Sequence, residues 1–218
     1  MKKIMLLFSG VILSAMSFAQ FSFGVQAHGS LSSARVKNQY DINYDKSMHF
    51  SQGGGVVAQY DLNDHISFRG SADYLQQGAT LTYSPDELSV TSKFRLNYVQ
   101  VPLHVLYNVQ TFGVKFYAGL GGYAAYGFSG HSINTLRYSG SEGEPIEIKE
   151  KVKAFGKDTE DGNNFKRIDM GLSGIAGVQL RNNLFVQAGY QYGLTNLNRD
   201  NEDKFRNNGL RLTVGYFF

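Results

Sequence analysis

The chain has 218 residues with 25 Gly, 16 Phe, 14 Tyr and three Pro, no Cys and no Trp, and 21 Lys and Arg against 18 Asp and Glu. The lack of Cys excludes a disulfide scaffold, a thiolate zinc finger and thiol chemistry, and the small net charge of +3 is no basic excess for nucleic acid. The length suits one domain large enough for a core or a closed barrel, and is short for a pair of enzyme domains.

The first residues bear on the compartment. Lys2 and Lys3 form a positive start, Ile4 to Phe18 is mostly apolar, and Ser17-Phe18-Ala19 offers small residues where signal peptidase reads. Residues 1–19 are therefore expected to be a signal peptide, cut between Ala19 and Gln20. The apolar run is short for a membrane anchor. Cleavage would leave 19 basic against 18 acidic residues in an exported domain, 20–218.

From Phe21 onward, period two dominates. In chain order, Phe21, Phe23, Val25 and Ala27 oppose Ser22, Gly24, Gln26 and His28, and Phe50, Val56, Ala58 and Tyr60 oppose Ser51, Val57, Gln59 and Asp61. Ile66, Phe68, Ala72 and Tyr74 oppose Ser67, Arg69, Ser71 and Asp73. In the fourth run Phe94, Leu96 and Tyr98 share one parity and Val99, Val101, Leu103, Val105 and Tyr107 the other, which predicts a bulge or a strand leaving its apolar surroundings near Tyr98. Val114 to Phe128, Ile168 to Leu180, Leu184 to Thr195 and Leu210 to Phe218 alternate in the same way. The expectation is an all-β, eight-stranded, antiparallel up-and-down barrel. Tight links at 61–64, 109–113 and 181–183 alternate with long loops at about 31–48, 83–91, 129–165 and 196–206, so the long loops gather at one end.

Two barrels have this pattern, a soluble one with an apolar inside and a membrane one with an apolar outside. The polar face carries Arg69, Asp73, Lys115, Asp169 and Arg211 with several Gln and many Gly, which would cover a wetted surface thinly but can pair inside a narrow bore. On the apolar face Tyr60, Tyr107, Phe116 and Phe218 fall toward the tight turns, and Phe50, Tyr74, Phe94, Tyr126 and Phe128 toward the long loops. Two aromatic girdles about an aliphatic band fit a transmembrane barrel, and closure leaves no backbone unpaired in lipid.

Leu96-Asn97-Tyr98-Val99-Gln100-Val101-Pro102-Leu103, the Gly-rich Phe116 to Tyr123, Asp169-Met170-Gly171-Leu172 leading to Gly174 to Val178, and Gln191 to Asn196 together resemble the PorT-like outer-membrane β-barrels of Bacteroidetes-type bacteria. The resemblance covers Phe21 to Phe218 and implies an eight-stranded barrel in the bacterial outer membrane, with periplasmic termini and long loops at the cell surface. It also implies that the aromatic end, Tyr216 and Phe218, is the signal read by the barrel-assembly machinery. It carries no functional residue, since the family's members differ in role.

A search for chemistry finds little. The five His have no ligand-type spacing, although His28 and His49 share the inward parity. No Gly-x-Ser-x-Gly elbow and no phosphate-cradling loop occurs. Asp158 to Gly162 lacks the acidic offsets of a calcium loop. Ser129, Ser132 and His131 sit where a lipid-modifying barrel enzyme, an acyl hydrolase or acyltransferase, would place its Ser and His, but any rim loop holds such residues by chance. No catalytic, cofactor-binding or metal residue and no cofactor is expected. The third long loop alternates Glu and Lys around Ile146, Ile148 and Val152, which reads as a hairpin whose edge pairs with a protein partner or, preferred, as a solvated loop facing lipopolysaccharide. The expected role is a structural or surface-binding module with a filled lumen, in contact with outer-membrane lipid and lipopolysaccharide and not with nucleic acid. The alternative is an accessory subunit of an outer-membrane secretion complex.

Overall fold

The computed structural model describes residues 20–37, 45–83, 88–138, 146–155, 165–198 and 204–218, so the segment read as a signal peptide lies outside the described residues. Among the described residues nine strands run in chain order: β1 (Phe21–Lys37), β2 (Asp45–Asp61), β3 (Ile66–Tyr83), β4 (Leu88–Thr111), β5 (Val114–Tyr138), β6 (Ile146–Lys153), β7 (Ile168–Gln179), β8 (Leu184–Gly193) and β9 (Lys204–Phe217). Every pairing is antiparallel. β5 bonds to β7 along its first half, β4 bonds to β5, and β9 returns to β1, which closes a ring of eight. β6 stands outside the ring, paired with residues 131–138 of β5.

The faces separate as the alternation requires. Val99, Leu103 and Tyr107 of β4 are 49%, 65% and 59% exposed, whereas Gln100 and His104 between them are 0% and 7% exposed. The wall is therefore apolar outside and polar inside, the reverse of a soluble barrel. Water would penalise so large an apolar surface, and a hydrocarbon solvent would not.

The tight turns sit at the end that holds the chain termini. Between β2 and β3 the Asn63 side-chain oxygen accepts the N–H groups of His65 (2.9 Å) and Ile66 (2.8 Å). Between β4 and β5 the turn is only Phe112 and Gly113, at φ 49° and 77°, the mirror-image turn that matches strand twist. A Cβ on Gly113 would run into the Arg181 guanidinium, whose Nη2 donates to the Phe112 carbonyl at 3.0 Å. Two neighbouring turns are thereby tied together.

The far end differs from expectation. The segments read as long loops are partly strand: β1 runs to Lys37 and β2 starts at Asp45, β3 runs to Tyr83 and β4 starts at Leu88, β5 runs to Tyr138 before β6, and β9 starts at Lys204. β4 and β5 have 24 and 25 residues, while about 9–11 suffice to span a bilayer. Their upper halves continue past the apolar wall, where the pattern that marks the lipid face stops.

That exit explains the apparent phase break in β4. The strand keeps its phase, with Leu96, Tyr98 and Gln100 all buried inside. What changes is the surroundings: beyond Tyr98 the interior becomes apolar and the exterior carries Arg95 and Lys93. The bulge belongs to the partner strand, since Asn97 pairs with Ser129 and Tyr98 with Gly127, leaving Phe128 as the extra residue. Phe94 is accordingly no girdle residue. Its ring packs inside the mouth, 5.4 Å from Phe165 and 5.7 Å from Phe205 in edge-on contact.

Candidate functional site: a bore closed at both ends

Inward residues of the ring build three layers. Nearest the termini, the Arg69 guanidinium lies 4.1 Å from the Tyr117 ring centroid, 5.0 Å from Phe185 and 5.4 Å from Phe217. Its Nε and Nη2 donate to Gln59 Oε1 at 2.9 and 2.6 Å, and its Nη1 donates to Gln187 Oε1 at 2.8 Å. The Tyr117 hydroxyl donates to the same Gln187 oxygen at 3.1 Å. A planar cation with five donors suits this cage better than a point charge, and the rings supply further attraction. Gln59 Nε2 donates onward to Asp61 Oδ1 at 2.7 Å, and Lys115 pairs with Asp61 Oδ2 at 3.0 Å.

The middle layer is polar. Arg211 faces Asp73 at 3.5 Å and donates through Nη2 to Gln100 and Gln191, both at 3.2 Å. Asp73 also accepts from Gln26 Nε2 at 2.7 Å and Ser71 Oγ at 2.9 Å. His104 Nε2 shares a 2.8 Å bond with Ser173 Oγ. The cavity among these groups holds about 30 Å³, space for only one or two waters. Both ring nitrogens of His28, Arg211 Nε, Gln100 Nε2 and Thr213 Oγ1 are buried without a protein partner, as groups bordering buried water would be.

At the far end an apolar layer closes the mouth. Leu96, Tyr98, Tyr123 and Ala125 of the wall meet Phe155, Phe165 and Leu197, brought in from the segments that join the strands, and Phe205 from the start of β9, and all are buried. The rings of Phe165 and Phe205 lie 5.1 Å apart, and Phe155 stands edge-on to Tyr98 at 6.1 Å. Glycine makes room for these rings in a narrow bore: a Cβ on Gly127 would strike the Phe155 ring, one on Gly171 that of Tyr123 and one on Gly215 that of Phe185.

Of the five charged residues read as one lumen network, two come together, Asp73 and Arg211. Lys115 pairs instead with Asp61, Arg69 is held by glutamines and rings, and Asp169 Oδ2 accepts from Asn207 Nδ2 at 2.8 Å. Asp61 and the glutamines 59, 100, 187 and 191 carry much of the network, and their inward parity was the only signal that could have found them. Tyr216 and Phe218 lie on the outer wall with ring centroids 5.9 Å apart.

The rim residues weighed for catalysis have structural partners. Ser129 is exposed and accepts the Asn97 amide at 2.9 Å, while Ser132 is buried and donates to Asn134 at 3.4 Å. His28 and His49 lie apart: the His28 ring rests against Gly53 and that of His49 against Gly78. Among the described residues no group of three or more His, Asp or Glu could hold a metal ion. Asp158 to Gly162 lies outside the described residues.

A closed ring of membrane-length strands, apolar outside and packed inside, defines a small transmembrane β-barrel. Residues 18–199 match the family model of the outer membrane protein beta-barrel domain, and the chain belongs to that family. It is thus an outer-membrane barrel. Among solved structures it is similar to OprG of Pseudomonas aeruginosa at 12% identity and a TM-score of 0.48, covering 92% of this chain and 96% of that one. It is similar to Neisserial surface protein A at 18% identity and a TM-score of 0.43, covering 90% and 97%. Ail of Yersinia pestis, solved in complex with the heparin analogue sucrose octasulfate, is 16% identical with a TM-score of 0.41, covering 91% and 99%. No curated protein matches the chain.

Proposed function

We propose that the protein is a surface barrel of the bacterial outer membrane that works through its far rim, as a structural element or binding module, with a filled lumen and no catalytic role. The observation that carries this reading is the closure of the bore. A caged Arg69 closes one end, a phenylalanine cluster the other, and a cavity of about 30 Å³ lies between them. An eight-stranded barrel has little interior beyond its own side chains. In this reading residues 1–19 are a removed signal peptide, the termini and tight turns face the periplasm, and the strands that rise past the apolar wall stand at the cell surface. Tyr216 and Phe218 are then the end read by the assembly machinery.

Planar-bilayer recording of the refolded protein tests the reading. The expected result is a membrane as silent as one without protein; steady ohmic channels that scale with protein added would overturn it.

A second reading, a PorT-like accessory subunit of a secretion complex, draws on the outer edge of β6, which among the described residues pairs only with β5. Extended chains add to such edges. Its test is cross-linking from β6 in intact cells: adducts with secretion-apparatus proteins would support it, and adducts with none would remove it.

A further inference from the structure

We propose that the outward face of the sheet formed by the upper parts of β3, β4, β5 and β6 binds the phosphate-bearing lipid headgroups of the leaflet around the barrel, lipopolysaccharide included. Register places the cations in rows. Gly78 of β3 pairs with Arg95 of β4, Arg95 with His131 of β5, and His131 with Lys153 of β6. One row further up, Lys93 pairs with Ile133 and Ile133 with Lys151. Directly opposed residues share a face, so Lys93, Arg95, Lys151 and Lys153 project from one side. Among the described residues none of the four has an ion pair. Glu147, the acid on this face, is engaged by Lys149 at 2.8 Å and Arg137 at 3.5 Å. Glu150 pairs with Asn134 and so lies on the other face. The His131 imidazole is held below its ordinary value by partial burial, then by the nearby Lys151 and Arg95 charges, which agrees with a clustered basic surface.

The occupant is set by where this face points. Arg95 shares its side of β4 with Asn97, Val99 and Val101, and the two valines belong to the exposed apolar wall. Arg95 and Val99 are four steps apart along the strand, roughly 13 Å at 3.3 Å per residue. The charges therefore begin at headgroup height and look sideways into the leaflet. A lipid whose phosphate met Arg95 and Lys153 would lay its chains on Val99, Val101 and Tyr126, whereas a soluble anion would use only half of this surface. Arginine takes phosphate oxygens in a bidentate fork, and each cation near an anionic surface adds attraction.

The proposal rests on the surface-barrel reading above, and its test keeps the two apart. The refolded full barrel is placed in phosphatidylcholine discs doped with bisphosphorylated or dephosphorylated lipid A, washed in mild detergent, and the lipid retained per barrel is measured by mass spectrometry. The expected result is about tenfold preference for the bisphosphorylated form. That preference should fall below about twofold in the variant K93Q/R95Q/K151Q/K153Q and persist in K93R/K151R/K153R. The smaller variant K151Q/K153Q, confined to β6 outside the ring, guards against misfolding and should lose about half the preference. Equal retention by the parent and glutamine variants would overturn the proposal, as would erasure of the preference by millimolar inorganic phosphate, which would mark a soluble-anion site. Failure of the barrel reading would appear separately, as a protein whose electrophoretic mobility is the same boiled and unboiled.

Discussion

Arg69 lies with its guanidinium carbon 4.1 Å from the Tyr117 ring centroid, and both side chains donate to one oxygen of Gln187. Residues from β3, β5 and β8 thus converge on one acceptor. A cation without a directly bonded carboxylate is tolerable in a buried site only when its donors are met, and here two glutamine oxygens and three rings meet them. Arg69→Lys keeps the charge and loses the fork. We expect a cost of about 1–3 kcal/mol, read as an earlier urea midpoint in micelles; a midpoint equal to the parent's would mean that the cage contributes nothing.

The outer wall gives a second prediction. Leu212 is 59% exposed on the apolar face, so Leu212→Arg should cost roughly 2–4 kcal/mol near the bilayer midplane. Leu136, on the sheet above the wall and paired with Ile148, should accept Arg within about 0.5 kcal/mol. Equal tolerance in a lipid refolding titration would contradict the face assignment. An inward position such as Gln187→Arg is a poor control, because Gln187 accepts from Arg69 and a second cation there would repel it.

In the middle layer, Asp73→Ala strands the Arg211 charge inside the bore. The expected penalty is about 3–5 kcal/mol. The double change D73N/R211M removes both charges and should recover much of that loss, since an uncompensated ion costs more than an absent pair. Unfolding free energies of the three variants in one micelle system check this; a double variant as weak as Asp73→Ala would exclude charge pairing as the cause.

The absence of native Cys makes the plug easy to probe. A thiol at Ala125, which is 6% exposed within the aromatic cluster, should react with a water-soluble maleimide far more slowly than one at exposed Ser129. Adding F155A and F205A should raise the Ala125→Cys rate at least tenfold, an order-of-magnitude expectation for losing two buried rings. Unchanged protection would show that the mouth is sealed by something other than these rings.

At the far rim Glu147 is held below the usual carboxylate value, first by the hydrogen bond from Lys149 and also by Arg137. A depressed acid contributes stability above its unfolded value and loses it as pH falls through its folded value. NMR titration should therefore place the Glu147 midpoint below that of a free glutamate, and Lys149→Ala should move it up. A midpoint unmoved by Lys149→Ala would refute the pairing.

Most of the ring was legible in the sequence because lipid on one side and a packed bore on the other enforce strict alternation. Beyond Tyr98 the solvents change places, and the same strand carries Phe94 and Leu96 inside with Arg95 outside, so apolar parity reversed while geometric parity did not. Strand therefore extends into the loops read at 83–91 and 129–165, through Leu88 onward in β4, the end of β5 at Tyr138 and the whole of β6. Arg69, Asp73, Lys115, Asp169 and Arg211 were identifiable by parity, but their partners were not, because cross-barrel contacts such as Arg69 with Gln187 join residues 118 positions apart. Phe155, Phe165, Leu197 and Phe205 gave no periodic signal at all, lying at strand ends and in connecting segments rather than along an alternating run.

The most direct test of the membrane barrel is electrophoretic mobility of the protein refolded in detergent micelles, boiled and unboiled, with and without proteinase. A membrane barrel gives a compact unboiled band that shifts on boiling and a protease-resistant core that loses only rim mass. A chain that is folded and monodisperse without detergent, with no heat-shifted band, would mean that the apolar face is buried inside, and would contradict the membrane barrel outright.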